Sequence, residues 1–127
     1  MSRVLVAEDD PEMRRLVAEA LRSDRHDVVE ASDGGQLLVR IAEEFHRHAS
    51  LREIDVIVAD VRMPVCTGLE LAETLAEDGW KIPCILISAF GDDETRARAD
   101  RIGAVLIAKP LALGELRATV NRLAPAK

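Results

Sequence analysis

The stretch Val4-Leu5-Val6-Ala7-Glu8-Asp9-Asp10-Pro11 decides how the chain is read. Four apolar residues in unbroken succession have the length of a short strand, and three acids end it. Asp10 suits a helix N-cap, and Pro11 suits the first helical position, where a missing N–H loses no hydrogen bond. Over residues 12–22 the apolar side chains Met13, Leu16, Val17, Ala20 and Leu21 recur at the spacing of one helical face. The opening is therefore one strand-to-helix unit.

The same unit recurs to the end of the chain. Val28-Val29 centres a weaker strand, Asp33-Gly34-Gly35 makes a turn, and residues 36–46 predict a helix with Leu37, Leu38, Ile41 and Phe45 apolar. A strand over 54–59 precedes a helix over 68–77. A strand over 82–87, interrupted near its start by Pro83, precedes a helix over 92–101. The fifth strand covers 104–108, and the last helix carries Leu113, Leu116, Val120 and Leu123 as one stripe. Most strands are continuously apolar, the pattern expected when helices cover both faces of a sheet. The reading is a single-domain α/β protein: a doubly wound, five-stranded parallel sheet with five helices and short right-handed crossovers, spanning residues 1–127.

Composition narrows the function. The chain has 127 residues, of which 48% are apolar, enough for one core but scarcely for two domains. The net charge of −6 argues against direct nucleic-acid binding, which needs a basic surface. Trp80, Phe45 and Phe90 are the aromatic residues, too few for a base-stacking platform. Cys66 and Cys84 form no C-x-x-C pair and have no His at ligand spacing, so neither a disulfide framework nor structural zinc is expected. No leader-like or membrane-spanning run is present, and a reducing cytoplasm is the expected compartment.

In sheets of this kind ligands bind beyond the carboxyl ends of the strands. Those positions hold the chain's most distinctive polar residues: Glu8, Asp9 and Asp10 after the first strand, Asp60 after the third, Ser88 after the fourth and Lys109 after the fifth. Singly, each has an ordinary explanation as a cap or a solvated side chain. On one shared edge they point to chemistry. Clustered carboxylates repel, and a divalent cation relieves the repulsion; a donor set of oxygens alone favours Mg²⁺ over zinc. A metal, an ammonium group and a hydroxyl around one carboxylate make a receptor for a phosphoryl group. Asp60 would be the nucleophile, since an ionised carboxylate needs no base to activate it.

These residues, with their surroundings, resemble response-regulator receiver domains of the CheY-like superfamily along nearly the whole chain. The resemblance rests on Val4-Leu5-Val6-Ala7-Glu8-Asp9-Asp10, Asp33-Gly34, Asp60-Val61-Arg62-Met63-Pro64 with Gly68, Ile87-Ser88-Ala89, Gly103-Ala104 and Lys109-Pro110-Leu111. The D-x-x-M-P-x-x-x-G stretch after an apolar strand is the most specific of them. The resemblance implies a flavodoxin-like strand order of 2-1-3-4-5. It implies Asp60 as phosphoacceptor and Asp9 as a direct Mg²⁺ ligand. Glu8 would act on the metal through water, and the Arg62 main-chain carbonyl would be a further ligand. It implies that Ser88 bonds the phosphoryl oxygen, that Lys109 pairs with the phosphoryl group, and that Pro110 holds the next loop, often through a cis bond. Asp10 reads mainly as a helix cap. The implied partners are a sensor histidine kinase or phosphotransfer protein and an unidentified downstream effector that reads the face of helix 4, strand 5 and helix 5. No membrane partner is implied.

Several positions depart from the family pattern. Leu106 stands where the family usually has Tyr or Phe, which puts aromatic-switch activation in question. The interval from Ser88 to Lys109 is about one residue short, which suggests a tight turn near Gly103. Residues 45–53 make a long link whose His46 and His48 read as loop or helix extension and not as metal ligands; His26 reads likewise. Arg62 and Phe90 are bulky at positions that flank the phosphoryl group, and are expected to slow its hydrolysis. Cys66 reads as an ordinary loop residue. Other functions fit less well. A docking module without phosphorylation would not need the full acidic, hydroxyl and lysine set. An aspartyl-nucleophile phosphatase wants a second Asp where Arg62 stands, and a flavin site wants a Gly-rich loop after the first strand. By sequence the chain reads as a free-standing receiver or as the front end of a DNA-binding regulator.

Overall fold

A computed structural model describes residues 2–48, 54–63, 67–89 and 92–124, with the side chains of 44–48 outside the description. The elements are β1 (Arg3–Ala7), α1 (Pro11–Ser23), β2 (Asp27–Ala31), α2 (Gly34–His48), β3 (Val56–Asp60), α3 (Gly68–Glu77), β4 (Cys84–Ser88), α4 (Asp93–Arg101), β5 (Val105–Ala108) and α5 (Leu113–Leu123). The five strands form one sheet in the order β2-β1-β3-β4-β5, and all four pairings are parallel. Both the doubly wound architecture and the strand order match expectation.

The unbroken apolar runs have a direct cause. Successive strand side chains point to opposite faces, and here each face meets helices. Leu5, Ile57, Ala59 and Leu86 pack with Leu37 of α2, Leu69 and Leu75 of α3 and Ala99 of α4. Val4, Val6, Val58 and Ile85 pack on the other face with Val17 and Leu21 of α1 and Leu116 and Val120 of α5. Two apolar layers flank the sheet, so the central strands carry polar residues only at their first or last positions. β2 is an edge, and arginines cover its outward carbonyls: Arg22 donates to Val28 O at 3.1 Å and Arg40 to Glu30 O at 3.3 Å. Such covering blunts an edge against further strand pairing.

Element ends follow local chemistry. Asp10 caps α1 by accepting from the N–H groups of Glu12 and Met13, with Pro11 at the first position as expected. Thr67 and Glu70 form a reciprocal capping box at α3, and Asp92 caps α4. Three helices end in the same left-handed turn, with paired bonds back to the last helical turn. Gly79 (φ 83°) and Gly103 (φ 73°) supply it for α3 and α4, and Arg25 (φ 69°) for α1. Gly103 thus gives the tight turn expected there.

β3 and β4 start two residues later than the sequence suggested, and β5 one residue later. β3 starts at Val56; just before it, Asp55 Oδ2 accepts from the Arg3 N–H at 2.8 Å. β4 starts at Cys84, just after Pro83, which has no N–H to give the ladder. α2 runs through His48, a helix extension rather than a loop. Among the described residues no helix is long and apolar enough to cross a membrane. Pro64, Cys66, Phe90 and residues 49–53 lie outside the described residues.

Two predictions follow from backbone geometry. A Cβ on Gly68 would lie 2.5 Å from Asp60 O and 2.9 Å from the Ala59 Cβ, both part of a packed strand end. Gly68→Ala should therefore lose about 1–3 kcal/mol in urea unfolding; a change near zero would show that α3 can retreat at no cost. Arg25 is exposed and sits where an L side chain is strained. Arg25→Gly should gain roughly 0.5–1 kcal/mol with an unchanged m-value, as relief of the left-handed strain exceeds the added chain entropy. A loss of stability would mean that the arginine side chain contributes more than its backbone costs.

Candidate functional site

Parallel pairing in near register brings the carboxyl ends of β1, β3, β4 and β5 to one edge. Asp60 pairs with Ile87 and Ser88 with Ala108, so the last residues of β3 and β4 and the first residue past β5 lie side by side. The main chain continues the ladder beyond the strands: Val61 N–H donates to Ile87 O and Lys109 N–H to Ser88 O, each at 2.8 Å, and Glu8 N–H to Ala31 O at 3.1 Å. These bonds hold the departing loops as firmly as the strands.

The side chains converge on Asp60, which is 4% exposed. Lys109 Nζ donates to Asp60 Oδ2 at 2.6 Å, and the Arg62 main-chain N–H donates to Asp60 Oδ1 at 2.9 Å. Lys109 Nζ also lies 3.6 Å from Glu8 Oε1. Glu8, Asp9 and Asp60 each bring a carboxylate oxygen within 4.8 Å of the others. Asp9 is exposed, whereas Glu8 and Asp60 are buried. Ser88 is buried at the end of β4. Glu8, Asp9, Asp60 and Lys109 thus come together, Ser88 lies at the adjoining end of β4, and Asp10 turns away to cap α1. The Lys109–Pro110 bond is cis, as the resemblance implied.

The electrostatics show one unresolved charge. Burial first, and then the neighbouring Asp60 carboxylate, push Glu8 up to about 8; Lys109 pulls the other way. Burial alone would lower the Lys109 ammonium, but the hydrogen bond and charge of Asp60, with Glu8 behind it, leave it raised. Glu8 Oε2 is buried without a hydrogen-bond partner. Lys109 thus pairs with Asp60 and approaches Glu8, while Asp9 completes the group of three acids. The donors are all oxygens, so this set could hold a hard divalent cation.

Sequence reasoning passed over Arg14, one turn into α1, whose Nη1 donates to the Glu8 carbonyl at 2.9 Å. Its position four residues after the cap Asp10 was the available signal. A cavity of about 370 Å³ lies at the opposite end of the sheet, lined by Leu75, Trp80, Ile82, Cys84 and Ile102, and shares no residue with this edge. Burial pushes the Cys84 thiol there up to about 11, an environment without thiolate reactivity.

Comparison with known proteins agrees with this geometry. Residues 4–121 match the family described as response regulator receiver domain. The transcriptional regulatory protein PdtaR of Mycobacterium tuberculosis is 31% identical over 115 residues, covering 90% of this chain and 52% of that protein. The chain spans about half or less of the length of the curated relatives it matches. Among solved structures, the receiver domain of Francisella response regulator 1452 superposes with a TM-score of 0.82 at 27% identity, covering 97% of this chain and 96% of that one. The chemotaxis protein CheY4 of Vibrio cholerae gives 0.80 at 25% identity, covering 97% and 98%. With the fold, the strand order and the edge constellation already in place, the chain belongs to the response regulator receiver domain family of two-component signal transduction.

Proposed function

We propose that Asp60 accepts a phosphoryl group in a Mg²⁺-dependent reaction, from a sensor histidine kinase or a phosphotransfer protein. The observation that carries this is the buried Asp60 carboxylate bonded to Lys109 at 2.6 Å, within 4.8 Å of the Glu8 and Asp9 carboxylates. An Asp60 oxygen attacks phosphorus, the bond from phosphorus to the donor breaks, and the donor keeps the electron pair. The product is an acyl phosphate, which water later cleaves to the carboxylate and inorganic phosphate. Lys109, already on Asp60, moves its charge onto a phosphoryl oxygen as negative charge arrives there. Ser88 donates its hydroxyl to another phosphoryl oxygen. Asp9 and Asp60, the Arg62 carbonyl and, through water, Glu8 would hold Mg²⁺, which neutralises phosphoryl charge and orients the donor. The domain thereby catalyses its own phosphorylation and dephosphorylation.

The signalling surface in this reading is the face of α4, β5 and α5. Leu106 on β5 is partly buried against the core layer of Leu86 and Ala99, so this face carries no aromatic at that position to swing inward. That residue favours a second reading, a docking module that partners recognise without phosphorylation. One experiment separates the two. Incubated with acetyl phosphate and Mg²⁺, the protein should gain one phosphoryl mass; the gain should vanish with a chelator and in Asp60→Asn. Absence of any gain while Mg²⁺ binds would favour the docking module.

Glu8 gives a prediction with a definite sign. Its folded-state value, about 8, lies above the ordinary carboxylate range of the unfolded chain. The folded chain therefore binds the extra proton, and its contribution is fully present at low pH and lost as pH rises toward about 8. In a chelator, the thermal midpoint should fall relative to Glu8→Gln as pH is raised from about 5 to about 8. Added Mg²⁺ should recover the wild type at the upper pH more than the variant. Parallel profiles in chelator would contradict the raised folded value of Glu8, and equal recovery of both proteins by Mg²⁺ would contradict its place in the metal site.

A further inference from the structure

Arg14 joins two parts of the fold that the phosphoacceptor reading treats separately. Its Nη1 donates to the Glu8 carbonyl at 2.9 Å, and its Nε lies 3.5 Å from Glu30 Oε1 on β2. Glu30 is itself fixed from two further sides. Its Oε2 accepts from Arg22 Nη1 at 3.1 Å, and its main-chain oxygen accepts from Arg40 Nε at 3.3 Å. The guanidinium of Arg14 is thus anchored to the edge strand and reaches from there to the start of the acidic loop.

What it reaches is the peptide between Glu8 and Asp9. On the other side of Glu8, the N–H donates to Ala31 O at 3.1 Å. Arg14 supplies the matching hold on the carbonyl, so the Glu8 main chain is held at both its N–H and its C=O. The Glu8 and Asp9 side chains leave from either side of this peptide. A turn of its plane would swing the exposed Asp9 carboxylate away from Asp60, whereas the buried Glu8 would move less. A carbonyl that accepts from a cation is also a stronger and better-defined contact than one left to water.

We infer that Arg14 is a positioning residue for the cation site: by fixing the Glu8–Asp9 peptide it holds the two carboxylates in the arrangement that converges with Asp60. The inference rests on the Mg²⁺-dependent reading above. The alternative is an ordinary ion pair tying α1 to β2. Arg22 supplies the control, because it also joins α1 to Glu30 and caps Val28 O, yet does not contact Glu8.

The test is calorimetric titration of MgCl₂ into the wild type, Arg14→Met, Arg14→Lys and Arg22→Met. Alongside, initial rates of phosphorylation by acetyl phosphate are measured across Mg²⁺ concentrations. Loss of an outer partner typically weakens metal binding roughly 10- to 100-fold, and Arg14→Met should fall in that range. Its half-saturating Mg²⁺ should rise by the same factor while the plateau rate stays unchanged, since Asp60, Ser88 and Lys109 are untouched. Arg14→Lys, which keeps a cationic donor, should recover part of the affinity, and Arg22→Met should match the wild type. Equal weakening by Arg14→Met and Arg22→Met, or wild-type affinity in Arg14→Met, would overturn the inference. A wild type that binds no Mg²⁺ would overturn the cation-site reading and this inference with it, a result distinct from either.

Discussion

Gathering Glu8, Asp9 and Asp60 so closely that their carboxylate oxygens lie within 4.8 Å of one another is the constraint that the rest of the structure accommodates. Two of these acids are buried, where like charges repel most strongly and water cannot screen them. The Lys109 ammonium at 2.6 Å from Asp60 answers part of the repulsion. Glu8 is pushed up to about 8, by burial first and by the neighbouring Asp60 carboxylate next, and its Oε2 is buried without a hydrogen-bond partner. This all-oxygen cluster beside a buried carboxylate could hold a divalent cation.

The sheet makes that gathering feasible. Its central strands are sealed on both faces by apolar layers, so polar side chains are expelled to the strand ends. Because all strands are parallel, their carboxyl ends fall on one edge, and β1, β3, β4 and β5 deliver Glu8, Asp60, Ser88 and Lys109 there, each within about one residue of its neighbour's register. Main-chain bonds past the strands then stop those ends from fraying. Gly68 extends the same logic to α3, whose first residue approaches the Asp60 carbonyl more closely than any Cβ would allow. The core and the site are therefore one design: the packing that stabilises the fold also sets the spacing of the charges.

Most of this was legible in the sequence because it follows from periodicity and position. Continuous apolar runs separated by helical stripes specify a covered parallel sheet, and residues just past the runs must then share an edge. The Asp10 cap and Pro11 were legible for the same reason, as local rules with local causes. What escaped was set by contacts distant in sequence. Asp55, just before β3, meets Arg3, 52 residues away. Arg14 looked like any helix arginine because its partners Glu8 and Glu30 come from two other elements. Arg25 in a left-handed turn runs against local preference altogether; its neighbour Asp24 accepts two bonds from Arg117 of α5, 93 residues away.

α4 shows how the absence of an aromatic at Leu106 bears on the rest of the fold. This helix buries Ala99 and little else of its own, and its surface is almost wholly polar. It stays in place through Ile102 and Ala104 at its carboxyl end, which pack on the core, and through Arg98, which grips both oxygens of Glu73 on α3 at 2.9 and 2.5 Å. Both partners are only partly exposed, and the two-point geometry makes this pair stronger than a typical surface ion pair. β5 beneath it contributes a half-buried leucine, which fills space but has no hydroxyl and no ring edge to place. The position of α4 is thus set by a charged contact to α3 and a small apolar anchor. α3 in turn begins at Gly68, against the carbonyl of Asp60. A continuous chain of contacts therefore runs from the carboxylate edge through α3 to α4, without passing through an aromatic on β5.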